Sequence, residues 1–172
     1  MWVFGYGSLM NDGWEKAFEP LQRAPADLHG YARSFTKASV KNWGTVSTPG
    51  PTLRIVPVPD AVCRGMAFEF DDAQAPRALT YLQEREGRNF VPKSLLISFP
   101  DGSHAEAATF IYEGQNVIAS TEEEIAAAIR NAVGTDGSAR AYLERVKAQL
   151  DQMGIKDPAV TRLWFLVDRP VG

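Results

Sequence analysis

Cysteine is nearly missing from this 172-residue sequence: Cys63 stands alone, and a lone thiol cannot close an internal disulfide. A disulfide scaffold is excluded, and a reducing, cytoplasmic setting is the expectation. Histidine is almost as scarce. His29 and His104 lie far apart in sequence and no second thiol accompanies Cys63, so no zinc-ligand spacing occurs and neither a metal nor another cofactor is expected. Surplus positive charge is lacking too, since 18 Lys and Arg against 21 Asp and Glu leave a net charge of -3. That sign is wrong for neutralising phosphates, so nucleic acid is not an expected partner. No apolar run approaches the ~20 residues of a membrane helix. The apolar first ten residues carry no basic leader and are broken by Gly5 and Gly7, which gives no expectation of a membrane. Nothing marks an obligate protein partner, and a small molecule remains as the expected ligand.

What the sequence has is enough apolar material, 45 % of residues, for one compact domain over 1–172. Through residue 70 glycine and proline punctuate short apolar stretches, the pattern of strands and turns. Residues 64–70 alternate, with Met66, Phe68 and Phe70 on one face. Residues 53–58 are expected to pair with them, lying at an edge or leaving the sheet where Pro57 and Pro59 lack backbone donors. A helix is expected over 72–86 with Asp72 as its cap. The runs 94–99 and 105–112 flank Pro100-Asp101-Gly102-Ser103, a reversal that makes them a hairpin.

Beyond Gly114 the pattern turns helical. Thr121 and Glu124 have capping-box spacing ahead of Ile125, Ile129 and Val133, and Gly134 supplies a stop. A helix over about 138–152 turns Tyr142, Leu143, Val146 and Leu150 inward, and Asp157-Pro158 opens a last short one over 159–167. The fold class is α+β: a closed or nearly closed small sheet from the first two thirds, with helices packed against it.

Two features point to chemistry. In Gly5-Tyr6-Gly7-Ser8-Leu9 the glycines lie at the wrong positions for a serine-hydrolase elbow, and Met10 stands where a dinucleotide fingerprint has its third glycine. A strand entering two glycines and a serine does let backbone N–H groups converge on a carbonyl or carboxylate oxygen; a plain tight turn with Ser8 as turn former fits the same residues. The second feature follows from the 100° step of a helix. Glu86 falls within ~20° of Leu79, on the apolar stripe with Leu82, whereas Glu84 is turned away by ~140°. A carboxylate there is partly desolvated, which raises its pKa toward values useful in proton transfer. Pairing with Arg85, Arg88 or Lys93, or fraying of the helix end, are the alternatives.

Taken together, Trp2-Val3-Phe4-Gly5-Tyr6-Gly7-Ser8-Leu9 and Tyr81-Leu82-Gln83-Glu84-Arg85-Glu86 resemble the ChaC-like γ-glutamylcyclotransferases in order and spacing. Similarity continues in Gly30-Tyr31-Ala32-Arg33-Ser34-Phe35, Gly44-Thr45 with Pro49-Gly50, 63–68, Ala141-Tyr142-Leu143 and 153–157. The resemblance implies a β-barrel-like cyclotransferase fold and release of 5-oxoproline from glutathione or a related γ-glutamyl compound, without cofactor. Glu86 would be the acid/base. Tyr6, Gly7, Ser8 and Leu9 would bind the γ-glutamyl end, with Trp43, Phe90 and Tyr142 completing the substrate-binding set. Glutathione-specific members usually carry arginine where Trp43 stands, and tyrosine and arginine where Phe90 and Pro92 stand. These departures imply either a different γ-glutamyl substrate, with the leaving group read more loosely and weak use of glutathione, or a weakened activity; ordinary core packing is the alternative for Trp43 and Phe90. A non-catalytic module that binds γ-glutamyl ligands is the alternative; retention of Glu86 favours the enzyme.

Overall fold

A computed structural model describes residues 1–169. The chain divides into two compact units, one of Met1–Ala32 with Pro57–Gly114, the other of Arg33–Val56 with Gln115–Gly172. Five strands form a closed barrel: β1 (Trp2–Gly5), β2 (Gln22–Ser39), β3 (Gly50–Glu69), β4 (Phe90–Ser98) and β5 (His104–Tyr112), in the order β1-β3-β2-β4-β5. Pairing is antiparallel for β1 with β3 and β4 with β5, and parallel where β1 meets β5. The β4–β5 hairpin closes at Ser98 opposite His104, with Gly102 at φ 84 in the reversal expected there. The exposed Asp101 carboxylate accepts from the Ser103 hydroxyl and amide, bonds that hold its pKa below the usual aspartate value.

In the first unit Val3, Phe4, Leu28, Phe68, Phe70, Ile97 and Phe110 are almost wholly buried. Each large apolar side chain removed from water stabilises by roughly 1.5–3 kcal/mol. Trp14, in a 3₁₀ turn at Trp14–Phe18, packs edge-on with Phe68 and tilted against Phe70. Helix α1 (Ala75–Glu86) lies beside this turn and β4. In the second unit helices α2 (Glu122–Asn131), α3 (Ala139–Gln152) and α4 (Pro158–Asp168) pack on one another through Ile125, Ile129, Leu143, Val146, Leu150, Val160, Leu163 and Val167. Their starts are those legible in the sequence. Thr121 and Glu124 form the capping box, Ser138 accepts from the Ala141 amide, and Asp157 accepts from the Val160 amide with Pro158 in the first turn.

Four local expectations are corrected. Residues 53–58 do not pair with 64–70; both belong to the single 20-residue strand β3, which absorbs its prolines where 57–60 are exposed and Asp60 takes φ 62. Strands tolerate proline where the missing N–H faces water. Helix α1 begins at Ala75 because Asp71, not Asp72, accepts from the Ala73 and Gln74 amides and holds the preceding turn open. Ala67 is as buried as Phe68, so β3 is covered on both faces there. Val133 leaves the helical stripe and lies 59 % exposed in a two-residue strand, β6 (Val133–Gly134), paired with β7 (Gly137–Ser138). A Cβ at Gly134 would come within 2.4 Å of the Lys41 carbonyl oxygen. That close backbone approach, rather than a helix stop, is what requires glycine there.

Candidate functional site

At the end of β1 the chain turns sharply, and Ser8–Met10 form a 3₁₀ turn closed by the Met10 amide donating to the Gly7 carbonyl at 3.0 Å. The amides of Ser8 and Leu9 open this turn, so no preceding carbonyl of the turn takes them. Gly5 permits the fold-back: a Cβ there would lie 2.9 Å from the Leu9 carbonyl carbon. The side chains are assigned elsewhere. The Tyr6 hydroxyl donates to the Phe110 carbonyl at 2.7 Å, tying the loop to β5, and Leu9 is buried. The Leu9 carbonyl accepts from the Trp14 indole at 2.9 Å. Ser8 is exposed. The loop thus offers main chain and one hydroxyl to a ligand, and its apolar side chains anchor it.

Glu86 is the last residue of α1. Ala75, Ala78 and Leu82 form the buried stripe, Glu84 is exposed, and the Glu86 side chain is 19 % exposed on the stripe's side. Glu86 and Glu84 thus lie on the sides the helical phase predicts, but the stripe is made by Ala75, Ala78 and Leu82, with Leu79, expected to define it, only half-buried at its margin. The end of α1 is fixed by a latch: Gly87, at φ 82, donates its amide to the Gln83 carbonyl, and the Gln83 side-chain amide donates to the carbonyls of Gly87 and Phe90. Phe90, 9 % exposed, opens β4 opposite Tyr112 and packs against its ring at 5.2 Å.

The neighbour that matters electrostatically is Arg85. Its Nε lies 3.7 Å from Glu86 Oε1, inside ion-pair range and beyond hydrogen-bond length, while Nη2 makes a short ion pair with Asp12 Oδ2. Burial works to lower the Arg85 pKa, but its bond to Asp12, the Asp12 charge and the Glu86 charge outweigh that and hold it above the usual arginine value. Of the other cations considered for Glu86, Lys93 pairs with Glu113 instead. Asp12 was not singled out in the sequence, where 73 residues separate it from Arg85 and no local signal joins them.

Trp43 and Tyr142 belong to the second unit, where they meet with ring centroids 5.2 Å apart. The Trp43 amide donates to Ser39 Oγ, and the loop after it is so tight that a Cβ at Gly50 would fall 2.0 Å from the Trp43 carbonyl oxygen. The Tyr142 hydroxyl accepts from the Leu53 amide. In the first unit an open groove of ≈ 470 Å³ runs along the outer side of α1, lined by Phe18, Pro76, Arg77, Thr80, Tyr81 and Glu84; Glu86 does not line it. Among the described residues no group of three His, Cys, Asp or Glu is placed to hold a metal ion, and no helix is long and apolar enough to cross a membrane.

Comparison with known proteins gives a consistent answer. The model of the ChaC-like protein family matches residues 1–169. Gamma-glutamylcyclotransferase 2-3 of Arabidopsis thaliana is 33 % identical over 175 residues, 95 % of this chain and 86 % of that protein. Glutathione-specific gamma-glutamylcyclotransferase 1 of Danio rerio is 31 % identical over 85 % of this chain and 76 % of its own length. Among solved structures, the yeast gamma-glutamyl cyclotransferase specific to glutathione superposes with a TM-score of 0.85, covering 98 % of this chain and 95 % of that one at 22 % identity, which establishes the fold. The family match across the described length, together with the Arabidopsis relative, means that this chain belongs to the ChaC-like family.

Proposed function

We propose that this chain, a γ-glutamylcyclotransferase by family, releases 5-oxoproline from glutathione or a related γ-glutamyl compound, with Glu86 carrying the proton. It works as one functional domain in the cytoplasm and needs no cofactor. The nucleophile is the substrate's own α-amine. Its nitrogen attacks the γ-carbonyl carbon, the new C–N bond closes a five-membered ring, and the old C–N bond to the leaving amine breaks. Because both reacting groups belong to one molecule, holding the chain bent supplies an effective molarity that reaches about 10⁵–10⁸ M in well-oriented cases.

Three tasks remain for the protein. The attacking nitrogen must lose its extra protons, the carbonyl oxygen must be stabilised as charge develops, and the departing nitrogen must be protonated. Glu86 relays both: the ammonium nitrogen gives up two protons, one before attack and one as the new ring amide forms, and the departing nitrogen takes up two and leaves as an ammonium, so the balance closes without water. The amides that open the Ser8–Met10 turn serve the oxyanion. Phe90, which opens β4 just past the end of α1, contributes aromatic surface to the rest of the substrate.

The observation that carries this is the placing of Glu86: inward, at a latched helix end, beside an arginine engaged by Asp12. The test is 5-oxoproline release from glutathione by the unaltered chain and by Glu86→Gln. Turnover in the first and loss of roughly 10²–10⁴-fold in the second are expected. Tight binding of glutathione with no 5-oxoproline from the unaltered chain would make it a binding module instead.

A further inference from the structure

Residues 33–56, which bring the end of β2 and the start of β3 into the second unit, hold four cations, Arg33, Lys37, Lys41 and Arg54, and neither aspartate nor glutamate. The whole chain carries a net charge of -3, so this excess is local. Arg33 is met by Asp157 at the start of α4. Arg54 is met by no carboxylate among the described residues, although Arg33, Arg64, Arg85, Arg140 and Arg162 each have one. It is half-buried, so its charge is drawn partly out of water without a counter-charge, which costs free energy until an anion completes it.

The guanidinium is nevertheless oriented. Arg54 Nε donates to Thr36 Oγ1 on the neighbouring strand at 2.8 Å, and Thr36 Oγ1 lies 2.8 Å from Ser34 Oγ. Ser34 and Thr36 stand two apart on β2, hence on one face of it. The Thr36 carbonyl accepts from the Ile118 amide, which holds this stretch of β2 in place. Between the two hydroxyls one proton makes their mutual bond, whichever of them gives it, and the other proton is left over. The Arg54 Nη atoms add further N–H donors, none of them bonded within the described residues. The cluster thus presents a positive charge, a guanidinium edge and a spare hydroxyl proton, all donors and no carboxylate.

We infer that Arg54, Thr36 and Ser34 form a binding site for a small phosphate, as the free ion or as a phosphate monoester. The site lies within the second unit and does not depend on the proposed cyclotransferase reaction. The donors decide the class of anion. With Nε taken by Thr36, the remaining edge of the guanidinium holds two oxygens, and the spare hydroxyl calls for a third. A carboxylate has two oxygens and one charge. A phosphate monoester has three terminal oxygens and a charge of about -1.5 to -2 at neutral pH, which suits a segment rich in cations and free of acidic residues.

The experiment is calorimetric titration of the unaltered chain, Arg54→Gln, Arg54→Lys and Thr36→Val with inorganic phosphate, glycerol 3-phosphate and acetate at constant ionic strength. The unaltered chain should bind phosphate saturably, and acetate about tenfold more weakly for want of a third oxygen. Arg54→Gln should weaken phosphate about tenfold to hundredfold, the worth of its charge-assisted hydrogen bonds. Arg54→Lys keeps the charge without the fork and should recover only part of this. Thr36→Val frees Nε and deletes a hydroxyl, so it should weaken phosphate about threefold to tenfold. Phosphate should also raise the melting temperature of the unaltered chain and not that of Arg54→Gln. Should Arg54→Gln fail to fold, the Arg54→Lys and Thr36→Val losses decide the matter. Glycerol 3-phosphate bound more tightly than inorganic phosphate makes the ligand a monoester, and the reverse order makes it the free ion. No saturable phosphate binding by the unaltered chain, binding indifferent to these substitutions, or acetate bound as tightly as phosphate overturns the inference, and none of these outcomes bears on 5-oxoproline release.

Discussion

Arg85 turns its Nη2 to Asp12 and leaves its Nε 3.7 Å from Glu86, so one guanidinium is shared unequally between two carboxylates. Asp12 has the hydrogen-bonded share and Glu86 the looser one. Glu86 is thereby left beside a positive charge but outside hydrogen-bond distance of it, which suits the proton-carrying role proposed for it.

Removing the Asp12 charge tests this division. Asp12→Asn keeps the Oδ1 acceptor used by the Trp14 amide but releases the guanidinium toward Glu86. A closer cation favours the Glu86 anion, so the acidic limb of the kcat/KM profile should move to lower pH, and kcat should fall by about threefold to tenfold as the weaker base takes up the substrate's proton less readily. Because the Arg85 pKa is raised, its charge is full below the ordinary arginine value and is lost only on rising through the folded one, far above any assay pH. The shift therefore reports Glu86. Movement of the acidic limb to higher pH would refute the arrangement.

Glu84→Gln distinguishes the two faces of α1. Glu84 is exposed and lines the outer groove, so this variant should retain activity within about threefold, while Glu86→Gln loses roughly 10²–10⁴-fold with an unchanged circular dichroism spectrum. A dead Glu84→Gln beside an active Glu86→Gln would assign the chemistry to the other face.

The loop after β1 is expected to act through its main chain. Ser8→Ala should keep activity within about threefold, since among the described residues no base is hydrogen-bonded to the Ser8 hydroxyl to make it a nucleophile. Gly5→Ala drives a methyl against the Leu9 backbone at 2.9 Å, so it should raise KM and cost about 1–3 kcal/mol of stability in denaturant melts. An acyl-enzyme trapped on Ser8 would contradict this.

In the second unit the buried pair of Arg33 Nη1 and Asp157 Oδ2, at 2.8 Å with side chains 0 % and 7 % exposed, anchors the start of α4. Arg33→Leu leaves a buried carboxylate without its counter-charge and should destabilise by about 3–5 kcal/mol in urea unfolding. A loss below 1 kcal/mol would mean that the cap bonds alone hold Asp157.

At the surface, Asp101→Ala should lower the melting temperature at neutral pH by removing the Ser103 bonds of the β4–β5 reversal. The Asp101 pKa is depressed on folding, so its contribution is present above the unfolded value and disappears as pH falls through the folded one. The difference between variant and unaltered chain should therefore close in strong acid; a difference that persists there would trace to the backbone.

Features set by neighbours in sequence were legible: the Thr121–Glu124 box, the Asp157-Pro158 start, the 99–103 reversal and the side of α1 on which Glu86 lies. Each depends on a few residues within one or two turns. Features set by distant partners were not. Asp12 and Arg85 are 73 positions apart, Arg33 and Asp157 are 124, and no periodicity encodes either pair. The continuity of β3 was hidden for a different reason, because Pro57 and Pro59 carry a strong local turn signal that exposure on a long strand overrides. Trp43 was legible as a departure from the family pattern, but not as the ring on which the Arg145 guanidinium stacks from α3.

The parallel pairing of β1 with β5 has a consequence for how the chain comes to be folded. Trp2 pairs with Ala107, so the barrel cannot close until the fifth strand is available. At synthesis rates of about 5–20 residues per second, the first strand waits at least several seconds for that partner. Val3 and Phe4, both fully buried in the finished barrel, spend the interval without half of their cover. Closure over so long a sequence separation is entropically slow, and the loop that follows β1 takes its final shape only then, since Tyr6 is tied to Phe110 on β5. Under the proposed function, binding competence is thus acquired late, in one step with ring closure, and a chain cut short before β5 would expose an apolar strand edge without forming the proposed site.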